Sequence, residues 1–122
     1  MPGFTFRDVQ YNNPVELALD VIGGKWKMPI LWRLKDRAWR YGELQRDVGR
    51  VNHKMLTQQL RELERDGLVT RTVFPEVPPH VEYTLTALGR SALPCIEVLR
   101  AWGAHYREEA LVTRADVHDA MG

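Results

Sequence analysis

Residues 52–67 have the sequence NHKMLTQQLRELERDG, which is the most informative segment of the chain for its fold. Leu56, Leu60 and Leu63 recur at the spacing of one helical face, and Gly67 follows as a typical helix stop. At about 100° per residue, the side chains opposite these leucines are polar. The pattern therefore predicts an amphipathic helix with one face of hydrogen-bond donors. That donor face and the helix start consist of Asn52, His53, Lys54, Thr57, Gln58, Arg61 and Arg65.

A second, shorter helix is predicted directly before this one. Residues 41–48 place Leu44 and Val48 on one side, and a brief turn over residues 50–52 follows. Two short helices joined by a tight turn are typical of the helix-turn-helix motif, whose second helix enters the major groove of DNA. Residues 41–66 are therefore predicted to form such a motif.

The residue types on the donor face suit contacts with base edges. In the major groove, Asn or Gln pairs with adenine, and Arg or Lys pairs with guanine. The first turns of a recognition helix normally touch bases, so residues 52–58 are expected to contact them. Arg61 and Arg65 lie further along the helix and are expected to contact phosphates. An ordinary solvated helix would carry similar residues, so this helix alone leaves that alternative open.

The period of the sequence changes to two after Gly67. LVTRTVF at residues 68–74 and VEYTL at residues 81–85 flank a turn that contains three prolines, which predicts a β-hairpin with a stiff tip. A two-stranded ribbon directly after a recognition helix is the wing of a winged helix. Arg71 and His80 are expected to bring it to the flanking minor groove or its phosphates.

Helices are also predicted on both sides of this region. Asn13 and Pro14 form a helix-start signal for a helix over residues 14–22, and a second helix is predicted over residues 25–35. Apolar residues at helical spacing predict a long helix over residues 87–111, with a kink near residues 90–94, where proline and glycine disfavour regular helix. The last eleven residues are expected to be frayed.

Together these segments predict a mainly α fold with a small β-hairpin, namely a winged helix-turn-helix with a three-helix DNA-binding core. Residues 1–122 are expected to form one domain. Its predicted parts are the N-terminal helices at residues 12–36, the helix-turn-helix at 41–66, the wing at 69–85 and a C-terminal dimerisation helix at 87–111.

Composition excludes several classes of protein. With 44% hydrophobic and 27% charged residues, the chain has globular proportions. It contains neither a stretch long and apolar enough to span a bilayer nor a signal peptide, so we expect a cytoplasmic protein without a membrane partner. The single cysteine, Cys95, cannot close an intrachain disulfide or build a thiolate zinc cage.

The positive charge of the chain is concentrated in one third of it. The formal net charge is only +1, but residues 25–71 carry twelve Lys or Arg against six Asp or Glu. Both flanking segments carry more acids than bases. Such a local excess is typical of a surface that binds a polyanion, with a solvated charged face as the alternative.

These residues resemble the HxlR family of bacterial and archaeal transcription regulators, winged-helix proteins related to the MarR group. The resemblance covers roughly residues 14–106, and the wing followed by a glycine is its most specific part. The matching elements are GGKW at 23–26, ILWRL at 30–34, KMLTQQLRELERDGLVTR at 54–71, VPPHVEYTLTALG at 77–89, and Trp102.

The resemblance implies a homodimer that is joined through its first and last helices and binds a two-fold-related DNA site. Independently, the apolar stripe of residues 88–110 is longer than a small three-helix core can cover, although the helix folding back on its own domain is an alternative. A second copy of the chain is the expected partner. The predicted interface residues are Val15, Leu19, Leu88, Leu99, Trp102 and Tyr106.

One position departs from the family. Many relatives carry a cysteine immediately before the proline that opens the first helix, and in some of them it senses oxidants or electrophiles. Asn13 stands there in this chain, and an amide cannot perform thiol chemistry. Cys95 is the remaining thiol, and its place in an apolar helix predicts a small core residue.

Other functions were weighed against DNA binding. The four histidines have no Ser, Cys or carboxylate at a catalytic motif spacing, so no enzymatic activity and no cofactor are expected. A metal-responsive regulator is an alternative, based on His105 with Glu109 and His118 with Asp119, although such pairs are commonly surface pairs. A winged helix that binds only proteins is another.

The sequence also suggests a place for a signal. Trp26, Ile30 and Trp102 are predicted to line a pocket for an apolar or aromatic effector between the dimerisation helices and the DNA-binding part. The alternative is that the tryptophans are core anchors. The identity of the effector does not follow from the sequence.

Overall fold

The computed structural model describes the backbone of residues 2–121 and the side chains of residues 2–113. The chain divides into two compact units, of which the first ends at Ser91 and the second begins at Ala92. Within the described residues, no helix is both long and apolar enough to cross a membrane.

A small β-hairpin opens the first unit, ahead of the first helix predicted from the sequence. Strands β1 (Phe4–Phe6) and β2 (Val9–Tyr11) pair antiparallel. The turn between them uses Arg7 and Asp8 at φ values of 49° and 65°. Tight hairpin turns require positive φ at both central residues, which glycine or asparagine usually supplies. The absence of those residues is why the pattern was missed.

Helix α1 (Pro14–Ile22) has the predicted bounds. The Asn13 side chain accepts a 2.8 Å hydrogen bond from the backbone N–H of Val15, and Pro14 occupies the first helical position. The Glu16 carboxylate reaches back to accept a 2.7 Å bond from the backbone N–H of Asn12. Side-chain oxygens thus satisfy free N–H groups at the helix start, as the Asn–Pro signal indicates.

Helix α2 (Lys27–Arg33) is shorter than the predicted helix over residues 25–35. Proline clashes with the carbonyl four residues before it when both lie in a helix. A helix beginning at Lys25 would place Pro29 in that position, whereas a start at Lys27 leaves it in the first turn. Gly24 has a positive φ of 91°, which is not helical, and it lies three residues before the start of α2.

The two helices of the helix-turn-helix agree with the prediction. Helix α3 (Tyr41–Val48) is followed by α4 (His53–Arg65), the second helix of the motif. The Asn52 side chain caps α4 by accepting a 2.7 Å bond from the backbone N–H of Met55. The three leucines of the amphipathic pattern lie in the core. They belong to a set of large side chains with less than 2% of their surface exposed, namely Ile30, Leu31, Leu34, Leu44, Leu56, Leu60 and Leu63.

A three-stranded antiparallel sheet carries the wing. Strands β4 (Val69–Phe74) and β5 (His80–Leu85) form the predicted hairpin, and β3 (Trp39–Arg40) pairs with β5 on its other edge, giving the order β3-β5-β4. A strand of two residues has no detectable period, so β3 was not predicted. It joins the base of the wing to the start of α3.

The long C-terminal helix is broken. Helix α5 (Ala87–Ser91) and helix α6 (Leu93–Met121) are separated at Ala92, within the region where a kink was predicted. The break leaves Pro94 in the first turn of α6, where its missing N–H costs little. The predicted end at residue 111 was wrong, because α6 continues to Met121 through the segment expected to be frayed.

A buried ion pair joins α2 to α4. Lys27 is only 6% exposed, and its Nζ lies 2.9 Å from Oε2 of Glu62 on α4. Its Nζ also donates a 3.5 Å hydrogen bond to the backbone oxygen of Asp20. The hydrogen bond from Lys27 lowers the pKa of Glu62 below its ordinary value of 4.5, although partial burial opposes this.

We expect this pair to make stability depend on pH. A carboxyl with a depressed pKa in the folded state stabilises the protein above its unfolded pKa, and the contribution disappears as the pH falls through the folded pKa. In Lys27→Met, the free energy of unfolding should therefore fall less steeply in acid than in the wild type. Urea unfolding at pH values above and below 4.5 measures this. Lys25→Met, which removes an exposed lysine, should behave like the wild type, and parallel pH profiles for Lys27→Met and the wild type would contradict the prediction.

Candidate nucleic-acid interface

The donor face of α4 is open to solvent. His53, Lys54, Gln58 and Arg61 are exposed and Thr57 is half-buried, while the leucines behind them are fully buried. The same five donor-face residues line a shallow depression of about 390 Å³. The structure therefore brings together five of the seven residues predicted from the amphipathic pattern.

The two remaining residues of that set have structural partners. Asn52 uses its side-chain oxygen as the helix cap, which leaves only its amide N–H groups for another contact. Arg65 lies in an ion pair with Asp66, its Nε 3.1 Å from Oδ1. Arg7 of the N-terminal hairpin binds the same carboxylate at 2.6 Å.

These ion pairs shift the pKa values of Asp66 and Arg65 at the end of α4. Partial burial raises the pKa of Asp66, but hydrogen bonds from Arg65 and Arg7 outweigh it and hold that pKa below its usual value. The carboxylate in turn raises the pKa of Arg65. The Asp66 carboxylate would thus compete with a phosphate for the Arg65 guanidinium. Within the described part of the chain, neither Lys54 nor Arg61 has an ion-pair partner.

A tyrosine that the sequence analysis did not single out lies beside the start of α4. The hydroxyl oxygen of Tyr41 lies 2.6 Å from Nδ1 of His53, and the two rings meet edge to face at a centroid distance of 5.3 Å. Thr57 donates to the same hydroxyl at 3.5 Å. Helical periodicity treats Tyr41 only as the first residue of α3, so no sequence signal connects it to the recognition helix.

Two further arginines, Arg40 of β3 and Arg46 of α3, were not predicted individually. Arg40 and Arg46 are exposed and line a groove of about 440 Å³ together with Pro79, His80 and Val81 of the wing. The sequence signal that includes them is the positive excess of residues 25–71. They extend the basic surface from the helix-turn-helix to the part of the wing where β5 begins.

The wing presents one of its two predicted contact residues. Arg71 is exposed on β4 directly opposite Tyr83 of β5. Burial raises the pKa of Tyr83, and the charge of Arg71 opposes that shift. Arg71 is therefore an exposed positive charge on β4, an edge strand of the sheet.

His80 has a different environment from the one predicted. Its Nε2 lies 2.9 Å from a carboxylate oxygen of Glu82, its Nδ1 lies 3.3 Å from Glu76, and its ring stacks on Phe74 at 4.7 Å. Only 14% of its side chain is exposed. Both ring nitrogens are engaged by acidic groups, so this geometry does not favour the predicted contact with DNA.

The residues predicted for a dimer interface are all exposed in the single chain. Val15 and Leu19 lie on α1, Leu88 on α5, and Leu99, Trp102 and Tyr106 on α6. On α6, the rings of Trp102 and Tyr106 stack at 5.5 Å. Cys95 is exposed as well, so its prediction as a core residue was wrong. Helical periodicity in the sequence located the apolar stripe of the C-terminal helix, but it does not identify a surface that would cover the stripe.

The predicted effector pocket has one member in the core. Ile30 is fully buried and Trp26 is half-buried, both in the first unit, while Trp102 is an exposed residue of the second. The pocket remains a prediction. Among the described side chains, no three metal-binding residues lie close enough together to hold an ion. His118 and Asp119, which the metal alternative used, lie outside the described side chains.

An exposed donor face on the second helix of a helix-turn-helix, followed by an antiparallel hairpin, defines a winged-helix DNA-binding protein. The chain belongs to the HxlR-like helix-turn-helix family, whose model matches residues 21–111. The family resemblance predicted from the sequence is thereby confirmed.

Three similar proteins illustrate the relationship. An HTH-type transcriptional regulator from Methanothermobacter thermautotrophicus is 48% identical over 99 residues, which cover 81% of this chain and 76% of that one. The solved structure of the redox regulator HypR in its oxidised form has a TM-score of 0.73 and 46% identity, and covers 76% of this chain and 96% of that one. The solved structure of a MarR-family transcriptional regulator from Porphyromonas gingivalis has a TM-score of 0.71 and 40% identity, and covers 75% of this chain and 89% of that one.

These relationships establish the general function. The chain is a DNA-binding transcription regulator of the HTH type, and its relatives are regulators and not enzymes, as the sequence predicted.

Proposed function

We propose that this regulator binds an inverted-repeat operator as a homodimer in the cytoplasm and contacts base edges from the first turns of α4. The observation that carries the proposal is the exposed depression lined by the donor face, which backs onto fully buried leucines. A rigid helix with outward donors suits insertion into a groove about 12 Å wide. Arg40, Arg46 and Arg71 are suitably charged for the flanking phosphates.

Selection of bound duplexes from a random pool tests this proposal. A dimeric regulator should enrich an inverted repeat, whose half-sites are separated by about one helical turn or a multiple of it. A single unpaired half-site would reject the dimer. No enrichment, with no salt-dependent affinity for duplex, would favour the alternative of a winged helix that binds only proteins.

Arg61 is proposed to contact phosphates rather than bases. We expect Arg61→Ala to weaken the binding of all duplexes alike and to reduce the slope of log affinity against log salt by about one per subunit, because fewer counterions are released. Affinities at several salt concentrations, for the operator and for a scrambled duplex, measure both effects. Arg107→Ala on α6 is the matched control and should keep the wild-type slope, and a loss confined to the operator would contradict the phosphate role.

We propose a second copy of the chain as the partner that covers α6. At about 100° per residue, Val98, Leu99, Trp102 and Tyr106 share one side of the helix, and each is at least half exposed. Exposed contiguous apolar patches of this kind mark protein–protein contacts. The resemblance to the HxlR family, whose model matches residues 21–111, implies the same partner.

We also propose that binding responds to a small molecule or a stress signal. One structural relative is described as a redox regulator, which supports a chemical signal in this family. Asn13 serves as a helix cap here and has no thiol, so an oxidant would have to act elsewhere. Comparing operator affinity before and after treatment with oxidants, electrophiles and aromatic compounds tests the proposal, and unchanged affinity with all of them would count against it.

A further inference from the structure

Three groups meet at the hydroxyl of Tyr41, where α3 touches the start of α4. Nδ1 of His53 lies 2.6 Å away, the backbone oxygen of His53 lies 3.3 Å away, and Thr57 Oγ1 lies 3.5 Å away as a donor. Asn52 caps the helix immediately before His53 and fixes the backbone there. The imidazole therefore has a defined position at the entrance of the recognition helix.

The distances indicate one position for the proton of a neutral imidazole. A phenol has one proton to donate, and its closest acceptor is Nδ1. O–H donors form shorter bonds than N–H donors, so 2.6 Å fits a hydroxyl that donates to nitrogen. Thr57 then donates to the free lone pairs of the Tyr41 oxygen. With Nδ1 as acceptor, the proton of the neutral ring is on Nε2.

The outward nitrogen of His53 is therefore a donor. His53 is exposed and lines the depression on the donor face, and no hydrogen bond from the described residues reaches its Nε2. Without Tyr41 both tautomers of the ring are available, and the outward nitrogen would donate in one and accept in the other. One hydroxyl on α3 thus sets the hydrogen-bonding character of a side chain on α4.

We propose that Tyr41 is a specificity-determining positioning residue, which holds His53 as an Nε2–H donor so that it selects a base edge with an acceptor. This rests on the proposed function, in which α4 enters the major groove. In that groove guanine offers the acceptors O6 and N7, adenine offers N7 and thymine offers O4, whereas cytosine offers only the N4 donor. The base met by His53 is therefore guanine, adenine or thymine, and cytosine is disfavoured.

The tautomer is tested on the full chain without DNA. Tyr41→Phe keeps the ring beside His53 and removes only the hydroxyl. At a pH where imidazole is neutral, nitrogen–proton correlation NMR should place the proton on Nε2 in the wild type and show a mixture of tautomers in the variant. Tyr11→Phe, which removes a hydroxyl bonded to Asp20 instead, should leave the His53 signals unchanged. A proton on Nδ1 in the wild type, or the same pattern in Tyr41→Phe, would overturn the proposal.

The base preference is tested on the selected operator. His53→Ala identifies the contacted position as the one where preference is lost, and the four bases are then compared there. The wild type should disfavour cytosine there by roughly three- to tenfold relative to the contacted base, the effect of one hydrogen bond, and Tyr41→Phe should lose this discrimination while other positions keep theirs. A preference for cytosine, or no position that responds to His53→Ala, would overturn it. If no duplex binds at all, the proposed function and the base preference both fail, while the NMR result separately decides the tautomer.

Discussion

Replacing Lys54, Thr57 and Gln58 together by alanine is expected to abolish most of the discrimination between the operator and a scrambled duplex. Lys54 and Gln58 are exposed at the start of α4, and each is able to form one specific base contact, worth about 1 to 3 kcal/mol. Losing both should cost roughly 2 to 6 kcal/mol of discrimination, a factor of about 30 to 10⁴. Thr57 contributes less, because it is half-buried and its hydroxyl bonds Tyr41.

Dissociation constants for both duplexes at one fixed salt concentration measure this loss. Gln59→Ala is the matched control, since it removes the same amide from the same helix at a half-buried position away from the donor face. Thermal unfolding should show that the triple variant remains folded. If it still distinguishes the operator as well as the wild type does, α4 is not the recognition helix.

The second large effect is expected on α6. Trp102 is 60% exposed and stacks on Tyr106, so a second copy would bury a large aromatic surface there. Aromatic anchors at the centre of an interface commonly contribute 2 kcal/mol or more, so Trp102→Ala should raise the dimer dissociation constant by about 30-fold or more. Sedimentation equilibrium over a range of protein concentrations measures it.

The same helix offers a control for this variant. Arg107 lies away from the apolar side of α6, so Arg107→Ala should dimerise like the wild type. The tryptophan variant should also bind an isolated half-site normally while losing its advantage on the complete repeat. Unchanged sedimentation of Trp102→Ala would show that the interface lies elsewhere.

Local signals predicted the elements whose ends are fixed by local chemistry. Asn13 and Pro14 indicated the start of α1, and three leucines followed by Gly67 indicated α4, because capping and periodicity act within a few residues. The wing followed from its alternating strands. The N-terminal hairpin was missed because Arg7 and Asp8 adopt a turn conformation that their residue types rarely indicate.

The candidate site was predictable only where it lies on one helix. The donor face follows from the position of each residue along α4. Tyr41 approaches His53 through the packing of α3 against α4, and Glu76 and Glu82 enclose His80 through the shape of the hairpin. Such contacts depend on tertiary structure, so neither the role of Tyr41 nor the engagement of His80 was visible in the sequence.

The exposed position of Cys95 gives this protein a built-in reporter. Helical spacing places its thiol on the same side of α6 as Leu99 and Trp102. Since the chain contains one cysteine, a maleimide dye attaches at a single known point. A second subunit that covers α6 would shield that sulfur. The rate of alkylation should therefore fall as the protein concentration rises through the range in which the dimer forms, and no engineered cysteine is needed.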